Sequence, residues 1–254
     1  MGQTPGITFA CTDKPGEAIA AQGVHMKLRR ASALLISFLI GSSIPLIGQT
    51  VLRGEVRVDL EPVYLQYIDD PYPLDTTTAQ KRALDEAALY FSSIIYGWSY
   101  DYEIGEKARA IPEQFTLTSR GSIPFGDPNL AVTDARLETS YLYVWMDYRP
   151  DSIQERRLEQ WKSGTIKKVQ AIGEGPLAGP GGSNWLDGKR QALEDAARAA
   201  VRSLLRGTER NRPKHSTGFV ALAAFPRYWV DAGRWQCGAT FYIEVSDITA
   251  FSAY

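Results

Sequence analysis

Two alanine-rich stretches of helical period set the frame for this chain. Between about Ala79 and Tyr96, Ala83, Leu84, Ala87, Ala88, Phe91, Ile94 and Ile95 recur at helical spacing and form one broad apolar face. A second helix is predicted from about Leu186 to Arg206. There the row Ala192, Ala196, Ala200, Leu204 lies beside Leu193, Ala197, Val201, Leu205, and Glu194, Asp195, Arg198 and Arg202 are expected to face water. Thr76-Thr77-Thr78 supplies N-cap candidates for the first helix, and Gly97 and Gly207 are the expected stops. Apolar faces of this breadth need a second layer, and alternating stretches supply it.

Val51 to Tyr67 alternates through Val56, Val58 and Leu60 before Pro71 and Pro73 break it. With Gly97 as the stop, a second helical piece over Trp98 to Ala110 is one alternative reading. Strands are predicted at Phe115–Ile123 and Ala135–Tyr148, the latter central because both its faces are apolar. Asp151 to Ser163 reads as a short, charged linking helix. Further strands are predicted at Thr165–Ile172, Gly218–Val230 and Arg234–Val245. The fold class is therefore α+β, with two strand-helix-strand-strand units at 50–150 and 165–254 joined by a linker at 151–164. The helices share wording, Ala83-Leu84-Asp85-Glu86-Ala87-Ala88 against Ala192-Leu193-Glu194-Asp195-Ala196-Ala197, and a pseudo-duplication is one reading of the repeated order.

The N-terminal region reads differently. From Met26 to Gln49, Lys27, Arg29 and Arg30 precede an apolar run, Ala33 to Ile40, and then small residues up to Gly48. A basic end, a short apolar core and small residues are the parts of a secretory signal peptide. Residues 1–25, with Pro5, Gly6, Pro15 and Gly16, are expected to be a mis-assigned or disordered extension. The predicted location is periplasmic or otherwise exported. The alternative is an inner-membrane anchor through residues 31–48, near the lower length limit for a span and interrupted by Pro45. Membrane contact is expected only through this segment, if it is uncleaved. No cysteine lies directly after the apolar run, and Cys11 lies upstream of it, which argues against lipidation.

From Gln49 onward the chain carries 24 basic and 27 acidic residues, after removal of Lys14, Lys27, Arg29, Arg30, Asp13 and Glu17 from the totals of 28 and 29. A net charge of −3 gives no concentrated basic surface, so nucleic acid is not an expected partner. Cys237 is the single cysteine of this part, which rules out an internal disulfide there. His215 is its single histidine, expected in a charged, solvated loop, and neither metal nor cofactor is expected. Gly173 to Asn184 sits between a strand and a helix as a phosphate loop would, but it lacks a Gly-Lys-Ser/Thr ending, and Pro176 and Pro180 remove backbone donors.

No catalytic residue is assigned. There is no Gly-x-Ser-x-Gly elbow, and Cys237 falls on an apolar strand face. The acidic pairs at Asp85-Glu86 and Glu194-Asp195 are expected on exposed helix faces, while Asp69-Asp70 and Asp101 with Glu103 leave two-carboxylate chemistry open. Aromatic clusters supply binding candidates: Trp98, Tyr100, Tyr102, Trp185, Tyr228 and Trp229, as a platform for sugar or protein. Tyr141 to Tyr148 is a further aromatic run. The terminal Tyr254 matches the ending of outer-membrane barrels, but the evenly spaced strands of a barrel are missing.

Val169-Gln170-Ala171-Ile172-Gly173-Glu174-Gly175, a loop, and then Lys189 to Ala200 form a strand ending in Gly-x-Gly that leads into an alanine- and charge-rich helix. This pattern, over residues 165–207, resembles the N-terminal module of flagellar assembly protein T and related small exported lipoproteins. The resemblance implies a non-enzymatic envelope protein, associated with the flagellum or the outer membrane, and carries no catalytic residues. The expected function is binding or assembly with a protein partner in the cell envelope. The alternative is an exported, carboxylate-dependent hydrolase of cell-wall sugar.

Overall fold

The computed structural model describes residues 50–62, 72–105, 110–177, 185–208 and 213–250, all within a compact unit spanning residues 47–254. The expectations for residues 1–49, for Val63 to Tyr67, for Asp69-Asp70, for the centre of the Gly-rich loop and for Tyr254 lie outside the described residues.

The fold is α+β. In chain order it comprises β1 (Leu52–Asp59), α1 (Thr76–Ile95), β2 (Trp98–Glu103), β3 (Gln114–Ser119), β4 (Leu130–Glu138), β5 (Tyr141–Tyr148), α2 (Ser152–Trp161), β6 (Lys167–Pro176), α3 (Asp187–Thr208), β7 (Pro213–Leu222), β8 (Arg227–Asp231) and β9 (Arg234–Ala250). β1, β5 and β4 form one antiparallel sheet with β5 in the centre. The second sheet runs β3-β2-β7-β9-β6, with β8 also on β9. β2 and β3 of the first half thus share a sheet with the strands of the second half, through the β2–β7 ladder from Trp98–Val220 to Glu103–His215.

α1 begins where the Asp75 carboxylate accepts the backbone N–H groups of Thr77 and Thr78 at 2.9 and 3.0 Å, so Asp75 caps the helix and the three threonines form its first turn. It ends at Gly97, whose φ of 62° suits glycine. Its apolar stripe touches β1, β5 and β7, so α1 covers both sheets. Fully buried Phe91 stacks on Tyr148 and meets Phe225 edge-on, with centroids 5.7 and 4.8 Å apart. A side chain of that size contributes about 1.5–3 kcal/mol by leaving water.

Three elements differ from expectation. Trp98 to Glu103 is a strand: Tyr100 and Tyr102 alternate with exposed or half-exposed residues, and the backbone pairs on both sides, with β3 and with β7. Ala135 to Tyr148 is not one strand but the end of β4, a turn with Thr139 at φ 53°, and β5. β5 is central as expected, yet its Tyr141-Tyr143-Trp145 face stays half-exposed. The stretch Gly218 to Val230 breaks after Leu222, and β8 begins separately at Arg227. His215 lies in β7, not a loop, with Nε2 3.0 Å from Asp101 Oδ1. Helix α2 has an Asp151 capping box and is held to α1 by the Trp161 Nε1–H, which donates to the Ile95 carbonyl at 3.1 Å.

The Gly-x-Gly of β6 has a packing role. A Cβ at Gly173 would overlap the backbone of Ala192 and Ala196, and one at Gly175 would overlap Gly188 and Ala192. Helix α3 therefore lies directly on β6, backbone against backbone, with Ala192, Ala196 and Ala200 fully buried. α3 continues through Gly207 to Thr208. Replacing Gly173 with alanine is expected to destabilise the protein by about 1–3 kcal/mol through overpacking; urea denaturation measures this, and the exposed-site control Gly164→Ala should leave the midpoint nearly unchanged.

Candidate functional site

The polar heart of the molecule lies where α1 meets α3. Glu86 and Lys189, 103 residues apart, form a buried ion pair, with Lys189 Nζ 2.8 and 2.7 Å from the two carboxylate oxygens. Glu86 Oε1 also accepts the Tyr90 hydroxyl at 2.6 Å. Three rings box the ammonium, with centroids of Trp235, Tyr228 and Trp185 at 5.2, 5.5 and 5.9 Å from Nζ. The Tyr228 hydroxyl donates to the Lys189 carbonyl at 3.2 Å, which ties the box to the helix backbone.

Above this floor opens a groove of about 350 Å³. One wall is β1 from Glu55 to Asp59. The rings of Tyr141, Tyr143, Trp185 and Tyr228 and the guanidinium-bearing side chains of Arg57, Arg82 and Arg227 complete it. Arg57 lies over Tyr141 at 4.8 Å, and buried Arg82 over Trp185 at 5.2 Å. Rings beside charged groups that donate and accept hydrogen bonds suit a polar ligand with flat apolar faces, or an aromatic-bearing peptide.

The phenols of the floor stay protonated. Burial, then the Glu86 carboxylate, raises the Tyr90 phenol well above its usual range, and burial does the same for Tyr228. Burial pushes the Cys237 thiol up to about 12, in keeping with a small buried hydrophobe rather than a nucleophile. Among the described residues, no group of three His, Cys, Asp or Glu side chains is placed to hold a metal ion.

The sequence-derived binding residues separate in space. Trp185 and Tyr228 meet in this groove. Tyr100 and Tyr102 are buried, with hydroxyls engaged by Ser216 and by Glu113 and Arg202. Trp98 borders a different hollow, and Trp229 is 39% exposed on β8. Glu194 is exposed and Asp195 half-buried, holding the Glu174 N–H at 3.0 Å. Glu86, expected on an exposed face, is instead 3% exposed. The signal lay in the helical phase: Ala79, Arg82, Ala83, Glu86, Ala87 and Tyr90 form one buried stripe, and Lys189 leads the Ala192–Leu193–Ala196 stripe at the same spacing. A charged residue in phase with an apolar stripe is a buried one.

A protein-family model matches residues 46–251, which covers the whole folded unit apart from its last residues. The chain belongs to that family. A protein of Treponema pallidum (strain Nichols), named only as an uncharacterized protein, is 28% identical over 167 residues, which are 66% of this chain and 68% of its own length. No solved structure gives a significant match.

Lys189→Met strands the Glu86 carboxylate in the interior and is expected to cost about 3–5 kcal/mol in urea denaturation, while the double variant Glu86→Gln/Lys189→Met should recover most of the loss. The Cys237 thiol should resist thiol reagents at pH 8 until the protein is unfolded. Because its folded pKa lies above its ordinary value of 9.0, the stability it contributes is complete below about pH 9 and is lost as pH rises toward 12; Cys237→Ala should flatten that stretch of the stability–pH curve.

Proposed function

We propose that this protein is an exported component of the cell envelope whose work is binding or assembly rather than catalysis, and that it engages a protein partner at the β1–Trp185–Tyr228 groove. One observation carries this reading. The strongest buried acid and base in the groove floor, Glu86 and Lys189, neutralise each other inside a box of rings. The outward-facing surface is left with aromatic faces, with Arg57 and Arg227, and with the Glu55 and Asp59 carboxylates of β1, which can anchor a partner by ring contacts and ion pairs.

Export is supported by the basic-apolar-small pattern of residues 26–49, and retention of that segment would place the folded unit on the outer side of the inner membrane. Among the described residues, no helix is long and apolar enough to cross a membrane. The flagellum or the outer membrane as setting is supported by the resemblance over residues 165–207. We also infer a common origin for two strand-helix-strand-strand units, at 50–150 and 165–254. Its support is that the matched alanines, Ala83 and Ala87 against Ala192 and Ala196, are fully buried in both helices.

A photo-crosslinking amino acid placed at Arg227, exposed at the groove edge, provides the test in native cells. A discrete envelope protein captured there, and lost on Tyr143→Ala, is the expected result. Absence of any captured protein, together with peptidoglycan digestion that disappears on Glu55→Gln, would replace binding with hydrolysis.

A further inference from the structure

The apolar face of the first sheet is only half covered. Across the β4–β5 ladder, Leu137 pairs with Leu142, Ala135 with Val144 and Val132 with Met146. The β5 members of that row are buried on the face that α1 covers. Their β4 neighbours are not: Leu137 is 62% and Val132 43% exposed, and every residue from Ala131 to Glu138 is exposed. Among the described residues β4 pairs with β5 alone, so its other edge is open. Edges kept from pairing carry prolines, bulges or inward charges. β4 has a register shift between Val132 and Asp134, but neither a proline nor a charge in this row.

The pleat fixes which backbone groups that edge offers. Glu138 and Tyr141 close the two-residue turn, and the Arg149 N–H donates to the Asn129 carbonyl at 3.1 Å, so the odd-numbered residues of β5 bond toward β4. Glu138, Arg136 and Asp134 bond back toward β5, which leaves Ala135 and Leu137 presenting their N–H and C=O groups to the open edge. The Ala135 N–H meets the carboxylate of its own neighbour, Asp134, at 2.8 Å, where a strand partner would supply a carbonyl.

Charge chooses the partner, because the edge is complementary to itself. An antiparallel copy uses these backbone groups only by pairing odd residues with odd ones. With Ala135 opposite Ala135 of the copy, Asp134 falls opposite Arg136 in both directions. Sliding the ladder two residues either way sets Arg136 on Arg136, or Asp134 on Asp134, and like charges directly opposite each other are unfavourable. Arg136 lies over the Tyr143 and Trp145 rings at 5.8 and 5.6 Å and pairs with Glu138 at 3.0 Å. Exposed ion pairs of that kind are weak, so the guanidinium can turn to a new carboxylate at little cost. Such a pairing is isologous and closes at two copies. We propose that this protein forms a twofold dimer through β4, centred on Ala135. It joins two three-stranded sheets into one and buries Val132, Ala135 and Leu137 of both copies in one row. This edge is opposite β1 in the sheet, so the dimer leaves the groove open and does not rest on its role.

Sedimentation velocity of the full chain over a concentration series tests this. A reversible monomer–dimer equilibrium is the expected result. Asp134→Lys and Arg136→Glu each set two like-charged pairs across the axis and should each weaken dimerisation roughly tenfold or more. Both positions are exposed, so the circular dichroism should not change. An equal mixture of the two variants should restore the dimer, because the introduced lysine meets the introduced glutamate while native Arg136 meets native Asp134. Ala135→Cys should cross-link to itself under mild oxidation, since bonded antiparallel partners have Cα atoms about 5.5 Å apart, within disulfide reach. Glu55→Cys, on the β1 edge, should not, and the unmodified chain controls for Cys11 and Cys237. A monomer at every concentration, a dimer that survives both single variants, or a mixture no more dimeric than its components would overturn the proposal.

Discussion

The ion pair between Glu86 and Lys189 is the contact around which the two helices are arranged. Each charge is far too costly to bury alone, and each is carried on the inward stripe of an amphipathic helix, so α1 can bury its stripe on β1, β5 and β7, and α3 its stripe on β6 and β9, only if these two groups meet. The ring box of Trp185, Tyr228 and Trp235 and the Tyr90 hydroxyl complete the coordination. The result is a floor made from four separate segments of the chain, with the groove opening above it.

Close packing does for α3 what the ion pair does for its junction with α1. Gly173 and Gly175 remove the side chains that would hold helix and strand apart, and Ala192 and Ala196 answer them with the smallest side chain a helix favours. α1 uses larger groups, Phe91 and Tyr90, because it must reach across to two sheets, whereas α3 lies on β6 and β9 of a single sheet. The segment from Ala223 to Pro226, between β7 and β8, feeds Phe225 into this contact beside Gly54 of β1, which joins the region of the β1 edge to the second sheet.

Much of the architecture was legible as period. Both long helices, the central position of β5, and the burial of Cys237 on the apolar face of β9 follow from spacing alone. Where aromatic residues occur on both faces, period 2 and period 3.6 compete, and a helical alternative over Trp98 to Ala110 gives way to a strand in which Tyr100 and Tyr102 are buried, paired on both sides by β3 and β7. The β4–β5 turn was hidden for another reason: it is made by Thr139 and Ser140, without the glycine or asparagine that normally marks a hairpin.

What the sequence by itself determined are the local quantities: helical phase, strand alternation, the helix stop at Gly97, and a charge balance that gives no basic surface. Arg82, Glu86 and Lys189 share the phase of the buried alanines, yet the reading of the spacing set Glu86 on an exposed face, because a carboxylate is buried only where a partner meets it. Tertiary structure alone decided which buried acid meets which buried base, which two of the six aromatic candidates share a groove, and that β2 and β3 join the sheet of the second half. The reason is physical: spacing along a helix or strand records which side a residue faces, whereas pairing between elements a hundred residues apart is set by the packing of the whole unit.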